Sequence, residues 1–288
     1  MRKAIWLCLL AAGMLAAQDG KLRIIAFGAH PDDCDVRLGG TAAQFAAMAH
    51  LVKFVSVTSG DAGHQSQGGG ALAARRRLEA KEAGRRFGIA EYETLDNHDG
   101  ELVPSLQVRE QIIRRIRQWN ADIVIGPRSN DYHPDHRYTG ILLADAAFMV
   151  TVPNICPDTP ALKKNPVFLY VQDNFQRPNP FRPDIAVAID STVDKKMYAL
   201  SAHESQFFEW LPWLSGKLDQ VPKDEAGRRK WLESERVREA NPEVRKTLEK
   251  WYGAAKAKGI RYAEAFEICE YGRRPSDQEI RQLFPMLK

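Results

Sequence analysis

Two short segments hold most of the chain's reactive side chains: Ala29-His30-Pro31-Asp32-Asp33 and His133-Pro134-Asp135-His136. The chain has only 7 His in 288 residues, so the repeat of His-Pro-Asp stands out. Either segment alone reads equally well as a turn whose Asp caps a following helix. Together they supply three imidazoles and three carboxylates, enough for one metal ion with acid and base groups to spare. Imidazole and carboxylate without thiolate suit Zn²⁺ in a catalytic arrangement, where three protein ligands leave a position open for water. Such an ion brings the pKa of water down to about 7, and a nearby carboxylate completes the deprotonation. Hydrolysis of an unreactive amide needs that combination.

The elements around these segments are set by apolar patterning. Residues 22–29 form a short apolar run, as expected of a strand buried on both faces, and lead directly into His30. A helix is expected over 38–51, a strand over 52–58, a helix over 71–87, a short strand over 92–95, a helix over 105–120 and a strand over 122–126. His133 follows a few residues later. Further strands are expected at 167–171 and 184–189, with a helix over 191–208 and charged, mostly helical sequence over 220–258. Gly68-Gly69-Gly70 reads as a flexible surface loop. The alternation predicts an α/β fold with a doubly wound, mostly parallel sheet, which builds its sites at the carboxyl ends of strands.

At 44% hydrophobic and 27% charged residues, the chain can fill one substantial core and is not disordered. Arg2 and Lys3 precede an apolar run over 4–17 that ends in small residues, which reads as a signal peptide and predicts export to the periplasm or outside the cell. The run is too short for the roughly 20 residues of a membrane span. The expected division is 1–17 signal peptide, 18–210 catalytic domain, and 211–288 a mainly helical extension packed on the same domain. The net charge of +4 drops by two when the signal leaves, and gives no hint of nucleic-acid binding. Cys8 leaves with the signal; Cys34, Cys156 and Cys269 imply neither a disulfide framework nor a CxxC zinc motif. No GxGxxG follows the first strand, which weakens a nucleotide-binding reading.

The AHPDD and HPDH segments, together with Thr58-Ser59-Gly60-Asp61, Ser201-Ala202-His203-Glu204-Ser205-Gln206 and Arg261-Tyr262-Ala263-Glu264, resemble the LmbE/PIG-L family. The resemblance implies a Rossmann-like sheet and zinc-dependent removal of acetyl from N-acetylglucosamine-containing molecules. It implies that His30, Asp33 and His136 are the ligands of one Zn²⁺ or another divalent ion. Asp32 matches the general base, His133 the residue that supports the oxyanion, and Asp135 the carboxylate that orients His133. Cys34 stands where the family often has Glu, and reads as a small buried thiol.

Substrate-facing candidates are Arg76, paired with Glu79 in an Arg-x-x-Glu pattern, and Asp99 in Asp99-Gly100, which resembles a loop contacting sugar hydroxyls. Asp61, His203 and Gln206 complete the set. Each has a plainer reading: a solvated helix face for Arg76, turn formation for Asp61 and Asp99, a satisfied core histidine for His203. Phe207, Phe208, Trp210 and Trp213 are either core packing or a platform for sugar stacking. Two other functions fit the same residues: a zinc amidohydrolase acting on a non-sugar N-acyl group, and a carbohydrate-binding protein without turnover. Intact Asp32 and His133 weigh against the second, because binding alone needs neither.

Overall fold

The computed structural model describes residues 20–287; the expected signal peptide lies outside them. The first half of the chain alternates β1 (Arg23–Gly28), α1 (Asp33–Ala47), β2 (Leu51–Thr58), α2 (Gly69–Phe87), β3 (Glu91–Asn97), α3 (Leu106–Trp119), β4 (Ile123–Gly126) and α4 (Pro134–Met149). The second half contributes β5 (Val167–Val171), β6 (Ile185–Ala188), α5 (Val193–Leu200), α6 (Leu211–Leu214), α7 (Glu225–Arg236), α8 (Pro242–Tyr252), α9 (Ala254–Ala257), β7 (Ala263–Ile268) and α10 (Asp277–Leu283).

All seven strands form one sheet in the order β3-β2-β1-β4-β5-β7-β6. Pairing is parallel from β3 through β5, and antiparallel where β7 meets β5 and β6. The chain moves outward from β1 through β2 and β3, then crosses to the other side at β4. The β1/β4 boundary is therefore the switch point where an open α/β sheet leaves a crevice for ligands. Alternation within β1 divides the core in two: Ile24 and Ala26 pack with Leu38, Phe45 and Phe87 on the α1 and α2 side. Ile25 and Phe27 pack with Ile112, Ile116 and Leu143 on the α3 and α4 side.

The expected strands and helices of the first half are present, with shifted ends. α1 starts at Asp33, so the acidic pair opens the helix instead of preceding it. α2 starts at Gly69 with Gly68 as its N-cap, so the glycines expected in a loop form the helix entry. The helix expected over 191–208 is broken: α5 ends at Leu200, and residues Ser205–Trp210 form a π-helical turn. Strand β7 was not anticipated: in Ala263 to Ile268 the two glutamates are three residues apart, so the strand's period-2 alternation is broken. It inserts between β5 and β6, so the segment after residue 210 completes the sheet as well as covering it. Glu264 on β7 is buried and accepts from the backbone N–H groups of Gly40 and Thr41 and from Lys196 Nζ, which ties β7 to α1 and α5. No helix among the described residues is long and apolar enough to cross a membrane.

Candidate active site

Close folding of the chain after β1 starts the site. A Cβ at Gly28 would stand 2.6 Å from Asp33 Cβ, so the absence of a side chain there lets the first turn of α1 fold back against the strand. The backbone N–H of His30 donates to Asp33 Oδ2 at 2.8 Å. On the other side of the switch point, His133 is the N-cap of α4: its Nδ1 accepts from the N–H of Asp135 at 3.2 Å, with Pro134 in the first turn. That leaves the proton of neutral His133 on Nε2.

These two helix starts bring four donor atoms of three residues together. His30 Nδ1 lies 3.2 Å from His136 Nε2, His30 Nδ1 lies 3.6 Å from Asp33 Oδ2, and His136 Nε2 lies 3.4 Å from Asp33 Oδ1. Tetrahedral ligands at ordinary Zn–N and Zn–O lengths are separated by about 3.3 Å. His133 also places a ring nitrogen in the same cluster as His30 and His136. The far nitrogens of both ligand rings face carboxylates. His136 Nδ1 is 2.9 Å from Asp131 Oδ1; His30 Nε2 is 3.1 Å from Asp99 Oδ1 and 3.4 Å from Asp135 Oδ2. Carboxylates behind imidazoles fix the tautomer that turns a lone pair inward. With both inner nitrogens deprotonated, their lone pairs would repel at this distance, and a cation between them would remove the repulsion. The donor set therefore fits one zinc ion.

Titration in this cluster points the same way. Burial pulls His30 down, but Asp135, Asp33 and Asp99 outweigh it and hold the ring well above the ordinary histidine value. His136 is likewise lowered by burial and raised further by Asp33 and Asp131, for a net rise. Asp33 is pushed up by burial and held far below the carboxylate range by His136 and His30. His133 moves down through burial and the positive charge of His30 and His136. The arrangement attracts positive charge to the centre of the His30, Asp33, His136 triangle and keeps His133 beside it neutral.

Asp32, next to Asp33 in sequence, is held by Arg76: Nη2 donates to Asp32 Oδ1 at 2.9 Å and Nη1 to Gly60 O at 3.1 Å. Arg76 is almost fully buried, so the solvated-helix reading does not describe it. Asp99, 3.7 Å from Arg76 Nη1 and against His30, sits behind the ligand sphere. Asp61 accepts from the Asp99 N–H at 2.9 Å and pairs with His98 Nδ1 at 2.7 Å, which shapes the loop carrying Asp99.

Three further expectations are corrected. The Asp135 carboxylate does not hold His133: it accepts from the N–H groups of Gly100 and Leu102 and faces His30, and only its backbone N–H meets the His133 ring. The cause is α4 geometry, since the capping ring must turn back over the first turn. His203 does not reach a pocket mouth; it is completely buried and pairs with Asp35 Oδ1 at 2.9 Å. Gln206 is buried too, and its Nε2 donates to Gly63 O at 3.1 Å. Both serve the scaffold because the helix breaks at 201–204, rotating the residues after it. Asp131 was missed as a partner of His136. Its signal was a carboxylate five residues before a ligand histidine, at the mouth of a loop. Cys34 is a buried thiol, as read from the sequence, held above its ordinary pKa by burial and by Asp35 and Asp33.

Fold and site together define a hydrolase of the metal-dependent N-deacetylase class, and the comparisons with known proteins agree. Residues 25–147 match the PIG-L family, described as GlcNAc-PI de-N-acetylase. The chain is 29% identical over 202 residues to the diacetylchitobiose deacetylase of Thermococcus kodakarensis, covering 67% of this chain and 74% of that protein. The N,N′-diacetylchitobiose deacetylase of Pyrococcus horikoshii, solved with an inhibitor, superimposes with a TM-score of 0.63 at 25% identity, over 86% of this chain and 84% of that one. The 4-carboxy-2-hydroxymuconate hydratase GalB of Pseudomonas putida KT2440 shares the fold with a TM-score of 0.63 at 18% identity, over 89% of this chain and 99% of that one. The fold therefore hosts more than one reaction, and the side chains of the site must decide which.

Proposed function

We propose that this protein removes the acetyl group from an N-acetylglucosamine-type amino sugar or a conjugate of one, with a single zinc ion held by His30, Asp33 and His136. The observation that carries the proposal is the clustering of His30, Asp33 and His136, whose nitrogens and carboxylate oxygens approach to 3.2, 3.4 and 3.6 Å, next in sequence to an Asp32 fixed by a buried arginine. Zinc bound there supplies positive charge that polarises the acetyl carbonyl and acidifies water. Asp32 takes the proton from the water that attacks the carbonyl carbon. His133, with its proton on Nε2, donates to the developing oxyanion, and a preorganised donor at that point is usually the largest catalytic contribution. Collapse breaks the C–N bond, and the proton held by Asp32 passes to the nitrogen, leaving acetate and a free amine. Asp135, Asp99 and Asp131 hold the histidines and the loop in register.

The sugar reading draws support from the names of the relatives, since the metal site alone accommodates any small N-acyl group. The test is acetate release from zinc-loaded protein offered N-acetylglucosamine, N,N′-diacetylchitobiose and a set of N-acetyl amino acids. Release from the sugars alone is expected. Release only from the amino acids would move the protein to the amidohydrolase reading, and saccharide binding without release from any compound would make it a binding protein. Export, proposed from the N-terminal run, places the substrate among wall fragments, external glycans or secreted metabolites; fractionation of cells expressing the full chain tests it.

A further inference from the structure

Three aromatic residues lie in the π turn and a fourth, Trp213, follows it, and the structure divides them. Phe207 and Phe208 are buried in a cluster with Met197, Leu200 and Leu232. Trp210 and Trp213 instead stack on one another, with ring centroids 5.4 Å apart and an interplanar angle of 17°. Trp213 is about half exposed, at 48%, and no hydrogen bond is found for the indole N–H of Trp210 among the described residues. That nitrogen stands over the loop after β2, near Asp99, which faces His30. Arg76 Nη1, Asp99 Oδ2 and Trp210 Nε1 stand 3.2, 3.3 and 3.8 Å from where a Cβ on Gly63 would be.

The pair is held rigidly. Glu209 accepts two hydrogen bonds from Arg75, at 2.8 and 2.6 Å, and a third contact from His64 Nε2 at 2.8 Å. Gln206 clamps Gly63, and Ser205 N donates to Glu79. The segment that carries the tryptophans is thus bolted to the loop after β2 and to α2. π turns often occur at functional sites because they re-aim side chains. A stacked aromatic pair with one exposed face, fixed by part-buried polar bonds and carrying a donor near Asp99, has the makings of a binding surface.

We propose that Trp210 and Trp213 form a subsite for the second sugar of the substrate, next to the ring that carries the reacting acetamide. A pyranose presents an apolar C–H face to the exposed indole of Trp213, and the Trp210 N–H donates to one of its hydroxyls. This rests on the deacetylase reading and deepens it: the substrate is a di- or oligosaccharide or a glycoconjugate, and a lone monosaccharide fills only half of the site.

The experiment uses Trp213→Ala and Trp213→Phe in zinc-loaded protein, with KM and kcat measured for N-acetylglucosamine and for N,N′-diacetylchitobiose. Trp213→Ala raises KM for the disaccharide by about 3- to 10-fold, the worth of one aromatic contact. It leaves kcat and the monosaccharide KM unchanged, and Trp213→Phe recovers part of the loss. A second readout does not need turnover: in Asp32→Asn, titration with the disaccharide changes tryptophan fluorescence, and the change is lost with Trp213→Ala added. Equal effects on both sugars, or no effect on either, would overturn the subsite. Absent acetate release from both sugars together with an intact fluorescence response would keep the subsite and overturn the deacetylase.

Discussion

The guanidinium of Arg76 meets the carboxylate of Asp32 at 2.9 Å while its other amino group is spent on the carbonyl of Gly60. Asp32 is thereby held at one angle by an almost fully buried residue. Removing one partner of a buried pair leaves the other charge uncompensated. Arg76→Met is expected to lower kcat about 100-fold with a much smaller change in KM, because a misplaced base costs rate without costing binding. Arg76→Lys restores the charge without the two-point grip and regains only part of the activity. Steady-state kinetics on correctly folded protein check this, and a change confined to KM would show that Arg76 binds substrate.

Gly60 lies under the same guanidinium. Its φ of +70° favours glycine, and a Cβ there would approach Arg76 Nη1 to 2.5 Å and Pro31 Cδ to 2.8 Å. Gly60→Ala therefore disturbs backbone and base together: a loss of about 1–3 kcal/mol in unfolding free energy is expected, with a fall in kcat. Denaturant melts alongside activity measure both. Unchanged activity with unchanged stability would mean the loop relaxes freely, contrary to its hydrogen bonding.

Asp131 pairs with His136 Nδ1 at 2.9 Å. Its replacement in Asp131→Asn keeps size and removes charge, so zinc affinity should fall about 10- to 100-fold, the usual effect of losing the carboxylate behind a ligand histidine. Competition with a chromophoric chelator reads the dissociation constant directly. Activity at saturating zinc should recover most of the wild-type value. An unaltered affinity would separate His136 from the metal.

Away from the metal, His203 and Asp35 form a completely buried pair at 2.9 Å, and Tyr92 Oη donates to the other Asp35 oxygen at 2.7 Å. Burial lowers the His203 pKa, but attraction and hydrogen bonding from Asp35 outweigh it, and the ring titrates above its ordinary 6.5. A pKa raised by folding stabilises the native state fully below 6.5, and the contribution is lost as pH climbs through the folded-state value. The melting temperature of His203→Gln should fall furthest below wild type at pH 5–6, and the gap should narrow at higher pH. A gap that widens with pH would mean His203 is neutral in the fold.

Much of this was legible in the sequence because the chemistry is local. β1 announces itself by its apolar run, and the proposed ligands His30, Asp33 and His136 follow strands on either side of the α/β switch point. What was hidden depends on partners distant in sequence. Nothing near Arg76 reveals that it will be buried under Asp32, 44 residues away. Nothing near Asp135 shows that its carboxylate will serve the N–H groups of Gly100 and Leu102. The break after Leu200 turned His203 and Gln206 inward, and helical periodicity over 191–208 gave no warning of it. β7 was concealed by its charged neighbours, since a six-residue edge-like strand carries a weak pattern and is stabilised by pairing with β5 and β6.

The central claim is that one metal ion in the His30, Asp33, His136 triangle and the base Asp32 act together on an acetamide. The most direct measurement is zinc content and acetate release in one preparation, for the wild-type protein and for Asp32→Asn. The account predicts close to one zinc per chain in both proteins, with acetate released from N,N′-diacetylchitobiose by the wild type and a loss of several orders of magnitude in the variant. Full acetate release by Asp32→Asn, or by wild-type protein stripped of divalent metal, would contradict it.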